Sequence, residues 1–456
     1  MIILLSFVSI VLFGIYIFLK IKKHHPLFTP FSINTYITSF CLLIMPIFFQ
    51  YDAAWYALGI KKAAIMKEYL QYSIIINDIG FIIFIIFVIK FEFFKSNNFV
   101  LKKTYKLSRK INANVLFIFF IPCVAIWYYI VFKYNHGIPL FNGERTFYKD
   151  YAISPIYLGL NEIFRIFALY YGVIFVTKKK KIIPFVISSL TVLFQGNRGS
   201  FLLNILVVVG ILYVYKRRYL CFCKYEYNSQ QAIKMRTKEN LKILFILIIV
   251  LFLGLSLSFI RKGDSFSFET TFVELIYGNT FSDIRDGALI VKGFMEKYNN
   301  VSVFSLRNNY VYGLTLLSGI ISFVPSSILN FRKKWSWGSF STFTLLNMEN
   351  HIGLRGGNSM EAYVNFGLIG IIIFAALYGY FVGSLEKWYQ ERYILVKDSK
   401  FDLAKEFIIV QLFSSFSNLF ACSASFFNFY VDVVFLIVIL FLSKFMEVKN
   451  ENFINK

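Results

Sequence analysis

The chain has 456 residues, 57% of them hydrophobic and 20% aromatic, with a mean hydropathy of +0.62 and a formal net charge of +23. That balance excludes a soluble globular domain and belongs to an all-α polytopic membrane protein. The charge does not argue for a nucleic-acid partner, because Lys and Arg fall in short loops between apolar runs, where membrane topology puts them.

A helix needs about 20 apolar residues to cross the hydrocarbon core, and by that measure the sequence holds about eleven spans. The first, residues 1–19, lacks a basic start and a small-residue cleavage site before Lys20, so it reads as a retained helix rather than a signal peptide. Spans over 30–50, 70–91, 114–133 and 155–176 follow. Two shorter runs, 182–197 and 199–215, flank Gln-Gly-Asn-Arg-Gly at 195–199, which reads as a tight hairpin. Another span, 242–260, leads into a long amphiphilic stretch, 261–357, and the last three cover 360–383, 405–423 and 427–444. The spans should form a single membrane domain over residues 1–456, with no soluble domain and no internal repeat.

The basic clusters at Lys20, Lys22 and Lys23, at 90–110, at 178–181 and at 216–242 all fall on one side of this arrangement. That side should be cytoplasmic, with the N-terminus outside and the C-terminal tail inside. The long stretch and the shorter loop 134–154 then lie on the outer face. Within the long stretch, an apolar run at 311–324 stops at Pro325, and Trp335 and Trp337 follow Arg332, Lys333 and Lys334. Short helices in the interface, anchored by aromatics, are expected there. Cys41, Cys123 and Cys422 lie in or beside apolar spans, and Cys221 and Cys223 in a basic loop. Their spacing makes neither a disulfide framework nor a metal site.

Ionisable groups inside a span are costly and mark function or pairing. Asp78, Glu162, Arg165, Arg198 and Asp432 all read as lying in the outer portions of their helices, with no comparable set in the inner portions. An outward-opening charged cavity explains that asymmetry, whereas a transporter needs polar groups at the midplane. Glu162 and Arg165, three apart, can pair locally, for packing or for catalysis. Asp78 can pair with an Arg of another helix, and Asp432 can sit at the water boundary. Arg198, at the glycine-flanked turn, either holds phosphate with its planar fork or snorkels to headgroups. Arg261 ends its span, where a helix-end anchor is the plainer role. Arg145 closes a second glycine-and-Arg segment, 137–145, where it either meets a phosphate or carboxylate or is simply solvated. Gly379 and Gly383 have the spacing of close helix packing.

Residues 356–370 read Gly-Gly-Asn-Ser-Met-Glu-Ala-Tyr-Val-Asn-Phe-Gly-Leu-Ile-Gly. A helix that only had to span lipid would not admit Asn358, Glu361 and Asn365 together with paired glycines. His351 and Arg355 precede them. His351 either acts as general base towards a hydroxyl or makes ordinary loop hydrogen bonds. Glu361 is a competing base, and Asn358 and Asn365 are placed to orient hydroxyls.

This segment, the central Gly-Asn-Arg-Gly, the loop before Arg145, the number of spans and the long outer loop together resemble the bacterial oligosaccharide repeat-unit polymerases, the Wzy or O-antigen polymerase family. The resemblance implies the GT-C-like architecture shared by O-antigen polymerases and ligases. It implies an inner-membrane glycosyltransferase, working at the outer leaflet, that moves a glycan from its undecaprenyl diphosphate carrier onto a new lipid-linked repeat unit. The product is O-antigen, capsule or exopolysaccharide. Membrane lipids, a chain-length regulator and a flippase are the partners it implies, and no cofactor. The leaving lipid diphosphate needs cationic stabilisation. The outer loops offer no acidic metal motif, so Arg198, Arg261 and Arg355 are the candidates for it and no metal is implied. The related ligases carry a His-Asn pair in the late loop. Here the nearest equivalent is His351 with Asn358, at wider spacing. A lipid-linked oligosaccharide flippase and an O-antigen ligase are the alternatives.

Overall fold

The computed structural model describes residues 2–55 apart from 24 and 26, 60–94, 99–142, 153–195, isolated positions between 238 and 249, 281–348 apart from 301, 306, 307 and 325–327, 353–395 apart from 355, and 403–454. The described residues form helices joined by turns, without strands. The long ones are α1 (Ile2–Lys22), α2 (Pro30–Leu43), α3 (Lys67–Ile89), α4 (Ala113–Tyr134) and α5 (Ser154–Lys178). They are followed by α6 (Ile182–Phe194), α7 (Asp283–Tyr298), α8 (Leu314–Ile320), α9 (Met360–Leu395), α10 (Leu403–Asn418) and α11 (Phe426–Ile454).

Local chemistry sets several ends. Thr29 and Ser32 form a capping box at the start of α2, Ser32 N donating to Thr29 Oγ1 at 2.9 Å and Thr29 N to Ser32 Oγ at 2.7 Å. Asn112 caps α4 by accepting from Asn114 N at 2.9 Å. Lys179, in the left-handed region at φ 52°, ends α5.

Among the described residues, seven helices are long and apolar enough to cross a membrane: Ile2–Lys22, Phe31–Phe48, Ala63–Phe94, Ala113–Tyr134, Ser154–Val176, Met360–Glu391 and Ser423–Met446. They match seven of the spans expected from sequence. The runs at 182–197 and 405–423 are helices of 13 and 16 residues, too short for that class. The run at 199–215 lies outside the described residues, and so does 242–260 apart from isolated positions.

Contacts fix the directions of the helices. Ser6 and Ser9 of α1 donate to Asp78 of α3, each at 2.7 Å, while Lys20 meets Glu92 and Glu386 at 3.4 and 3.2 Å. Helices α1, α3 and α9 are therefore parallel. Helix α10 runs against α9: the Trp388 indole donates to Glu406 at 3.2 Å near one end, and Phe381 stacks on Phe420 at 5.8 Å near the other. Helix α4 runs against α5, with Phe120 on Tyr171 and Trp127 on Tyr157. One end of the bundle thus carries Lys20, Lys22, Lys23, Lys90 and Lys178–Lys181. The opposite, loop end carries the turns at 49–66 with α7, α8 and the short helices of 330–344. This is the alternation that three of the four basic clusters predict; the fourth, 216–242, lies almost wholly outside the described residues.

Two packed groups make the interior. One joins α4, α5, α10 and α11 around Phe120, Trp127, Phe164, Phe167 and Phe435, and the other joins α1, α2, α3, α7 and α9. Helix α9 belongs to both, through Leu385, Trp388 and Tyr389 on one side and Tyr363, Ile371 and Tyr378 on the other. Gly379 and Gly383 bring it onto α3: a Cβ at Gly383 would lie 2.8 Å from the Val88 carbonyl oxygen, and one at Gly379 would overlap that of Phe84. In lipid, where burial of apolar surface gives helices no net attraction, such close approach supplies the packing.

Three expectations about charge need correction. The inner portions are not free of ionisable groups. Lys20, Glu92 and Glu386 meet at the basic end with fully buried side chains, joined by Gln390 Nε2 on Glu92 at 2.6 Å and by the Thr29 hydroxyl on Glu386. In the sequence each of these charges sits at or just past the end of its hydrophobic run, so each reads as a loop residue. The helices run on through them and bury them together. Asp432 is not at a water boundary but buried between α10 and α11, accepting from Ser415. Asp78 pairs with two serines, not with an Arg. The local pair holds as expected, Arg165 Nη1 donating to Glu162 at 2.5 Å.

Candidate functional site at the loop end

Two side chains one turn apart on α3 organise the loop end. The Ser73 hydroxyl donates to the Ile284 carbonyl at 2.8 Å and ties down the first turn of α7. The Asn77 amide donates to the Gly356 carbonyl at 3.2 Å, and to Ser73 O at 3.0 Å, and so ties down the glycine-rich segment. Between these attachments lies a small cleft, open at its mouth. Thr38, Asn77, Asp283 and Asn358 give it polar walls, and Phe81, Phe84, Tyr378 and Phe420 an aromatic floor.

Asp283 is the first residue of α7, and its neighbours hold the backbone there. The Ser282 hydroxyl donates to Asp286 Oδ2 at 2.9 Å. Arg285, fully buried, gives two donors to Asp286 Oδ1 at 3.1 and 3.2 Å and a third to the Ala54 carbonyl at 3.2 Å. A buried guanidinium needs this satisfaction, since an unpaired charge there costs several kcal/mol.

The three polar residues of the signature separate into two groups. Asn358 lines the cleft, and among the described residues its amide has no hydrogen-bond partner. Glu361 and Asn365 are buried and do not line it. Glu361 accepts from the Thr315 hydroxyl and from Ser423 N, each at 2.7 Å. Asn365 donates to Thr315 Oγ1 at 2.7 Å and to Glu361 O at 2.8 Å, and accepts from Gly313 N at 3.0 Å. Together they clamp α8 and the start of the 423–425 turn onto α9.

The clamp depends on a break in α9. Gly367 has φ 65° and ψ −147°, a conformation open in practice to glycine alone. The break leaves the carbonyls of Val364 and Asn365 without helical donors, and Val311 N and Tyr312 N satisfy them, each at 3.1 Å. The apolar helix expected from the sequence is therefore two arms, with the polar residues on the short one. Such broken backbone is tolerated at membrane depth only where protein encloses it.

Arg145, Arg198, Arg261, His351 and Arg355 lie outside the described residues. Asn77 and Asp283 are the cleft residues that sequence reasoning did not select. A signal for the second exists: Ser-Asp-Ile-Arg-Asp at 282–286 precedes an apolar run, the pattern of an acidic helix start inside a stretch read as loop.

The sequence model of one protein family, described as O-antigen polysaccharide polymerase Wzy, matches residues 1–451. No curated protein and no solved structure matches the chain.

Proposed function

Since the chain belongs to the O-antigen polysaccharide polymerase Wzy family, which the match over residues 1–451 establishes, we propose that it polymerises undecaprenyl-diphosphate-linked repeat units at the outer face of a bacterial cytoplasmic membrane. The family match over the whole chain is the observation that carries this reading. The basic end of the bundle is then cytoplasmic and the cleft opens towards the outer leaflet, as the positive-inside rule requires. The growing glycan leaves its carrier and is joined to a new lipid-linked repeat unit, with a chain-length regulator and a flippase acting beside it.

In this reading Arg198, Arg261 and Arg355 hold the leaving diphosphate, with Arg145 on lipid phosphate or a sugar carboxylate. Planar guanidinium groups suit this task, since they grip phosphate through paired hydrogen bonds and stay charged. A proton acceptor is needed for the attacking hydroxyl, for which the sequence offers His351 and Glu361. Glu361 already has both oxygens engaged, so its part is to hold the clamp.

One argument against a transporter has fallen away, because Lys20, Glu92 and Glu386 put charge at the basic end as well. The decision therefore rests on an assay. Purified protein in nanodiscs receives only the lipid-diphosphate-linked repeat unit, and the products are resolved by size. A ladder of multiples is expected, with yields down about 100-fold or more in Arg198→Ala and Arg355→Ala, as for loss of a donor to developing charge. Transbilayer movement of the same lipid without any ladder would instead identify a flippase.

A further inference from the structure

The loop end carries four cations that have no acidic partner among the described residues. Arg332, Lys333 and Lys334 follow one another on the short helix Asn330–Trp335. Arg332 Nη1 donates to the Ser322 carbonyl at 3.1 Å and to that of Val324, which ties this helix to the turn after α8. The Thr344 hydroxyl donates to the Lys334 carbonyl at 2.8 Å, and Lys297 Nζ, from the last turn of α7, donates to the Thr344 carbonyl. Lys297, Lys333 and Lys334 are exposed, and none of the four forms an ion pair among the described residues. The acid beside Lys297, Glu296, faces Lys292 at 4.0 Å instead. Membrane proteins bias Lys and Arg to the cytoplasmic side, so unpaired cations kept at the opposite end call for an anionic partner.

Apolar surface lies directly beside these charges. Phe323, between the two residues whose carbonyls Arg332 holds, is 64% exposed, and Leu317 and Ile320 of α8 are 46% and 45% exposed. Phe323 packs edge-on against Tyr430 at 6.2 Å, and the Tyr430 hydroxyl donates to the Ile320 carbonyl at 2.7 Å. Tyr430 lies near the start of the span Ser423–Met446, so this apolar surface stands at the depth where that span enters the membrane. Trp335, whose ring lies under Lys334 Nζ at 5.2 Å, and Tyr430 are residue types that settle at headgroup level. The ligand that fits both halves has a phosphate head of more than one charge and a long apolar chain. A polyprenyl diphosphate has both, and its head carries more negative charge than the single phosphodiester of an ordinary phospholipid.

We propose that Lys333 and Lys334, on the platform that Arg332 and Thr344 fix, dock the diphosphate of a polyprenyl-linked substrate from the outer leaflet, with the start of its chain against Phe323, Ile320 and Leu317. The class of lipid rests on the polymerase reading above. No bond changes at this surface, so the two lysines are positioning residues that bring substrate to the reaction.

The test uses full-length protein in phosphatidylcholine nanodiscs, titrated with undecaprenyl diphosphate that carries no glycan. Saturable binding is expected, weakened about 10- to 30-fold in Lys333→Gln/Lys334→Gln, as the loss of two cations beside an anionic head gives. Lys333→Arg/Lys334→Arg keeps the charge and should recover most of the affinity. In the ladder assay the Gln variant should lose efficiency through KM for the lipid-linked repeat unit rather than through kcat. Wild-type affinity in the Gln variant overturns the proposal. So does equal displacement of the probe by phosphatidylglycerol, which would make the surface a general patch for anionic lipids. If the Gln variant does not fold, wild-type binding that does not weaken with added salt overturns it instead. Lysine-dependent binding of the probe without any ladder from the repeat unit overturns the polymerase reading and leaves the lipid site standing. A ladder without lysine-dependent binding overturns the lipid site alone.

Discussion

Glu361 is the one carboxylate of the glycine-rich segment, and its surroundings give it structural work. Glu361 is buried and saturated by Thr315 and Ser423. Its replacement by Gln sets an amide against one of two donors. Losing one charged hydrogen bond in a buried site costs about 1.5–3 kcal/mol. Glu361→Gln should therefore lower the melting temperature in detergent while each folded molecule keeps its ladder-forming rate. Comparing melting with turnover in that variant checks the assignment. In the sequence the segment's one acid and two amides gave one signal, polarity within an apolar run. Which of them faces the cleft depends on Thr315 and Ser423, 46 and 62 residues from Glu361. No local pattern carries that information.

At the scale of the element, α9 is the part the sequence described least well. Its length and apolar character were legible, and so was the packing role of Gly379 and Gly383. The break at Gly367 was not, because a glycine that serves close approach and one that serves a positive φ look alike in a sequence. Gly367→Ala should be severe. A non-glycine residue in so sparse a region costs roughly 1–3 kcal/mol, and a Cβ there would sit 2.6 Å from the Tyr310 hydroxyl oxygen. Trimming the neighbour in Gly367→Ala/Tyr310→Ala relieves the overlap and leaves the dihedral cost, so the double variant should recover only part of the melting temperature.

For the whole molecule, hydropathy and the distribution of Lys and Arg were enough to give an all-helical membrane bundle and the relative directions of its helices. They did not reveal the ion group at the basic end, which forms only when α1, α3 and α9 lie side by side. Breaking a buried ion pair costs about 3–5 kcal/mol, so Lys20→Met should destabilise the bundle strongly, as thermal unfolding in detergent micelles would read. Orientation is tested with the five cysteines replaced by Ser and single cysteines introduced. Asp52→Cys should react with an impermeant maleimide on intact cells, and Lys22→Cys only after permeabilisation. The opposite pattern would turn the cleft towards the cytoplasm and remove it from the outer leaflet.

The glycine at the break also has a genetic signature. Glycine codons share their first two bases, so every single-base change at either position of codon 367 that yields a new amino acid adds a side chain where none fits. Codon 14 is the natural contrast, since a Cβ at Gly14 meets nothing within 4 Å. In a library of random single-base changes selected for loss of polymer, codon 367 should be recovered with many different replacements, small ones included. The small uncharged replacements, Ala, Ser, Cys and Val, should pass through such a selection unnoticed at codon 14, where only a charge facing lipid would be costly.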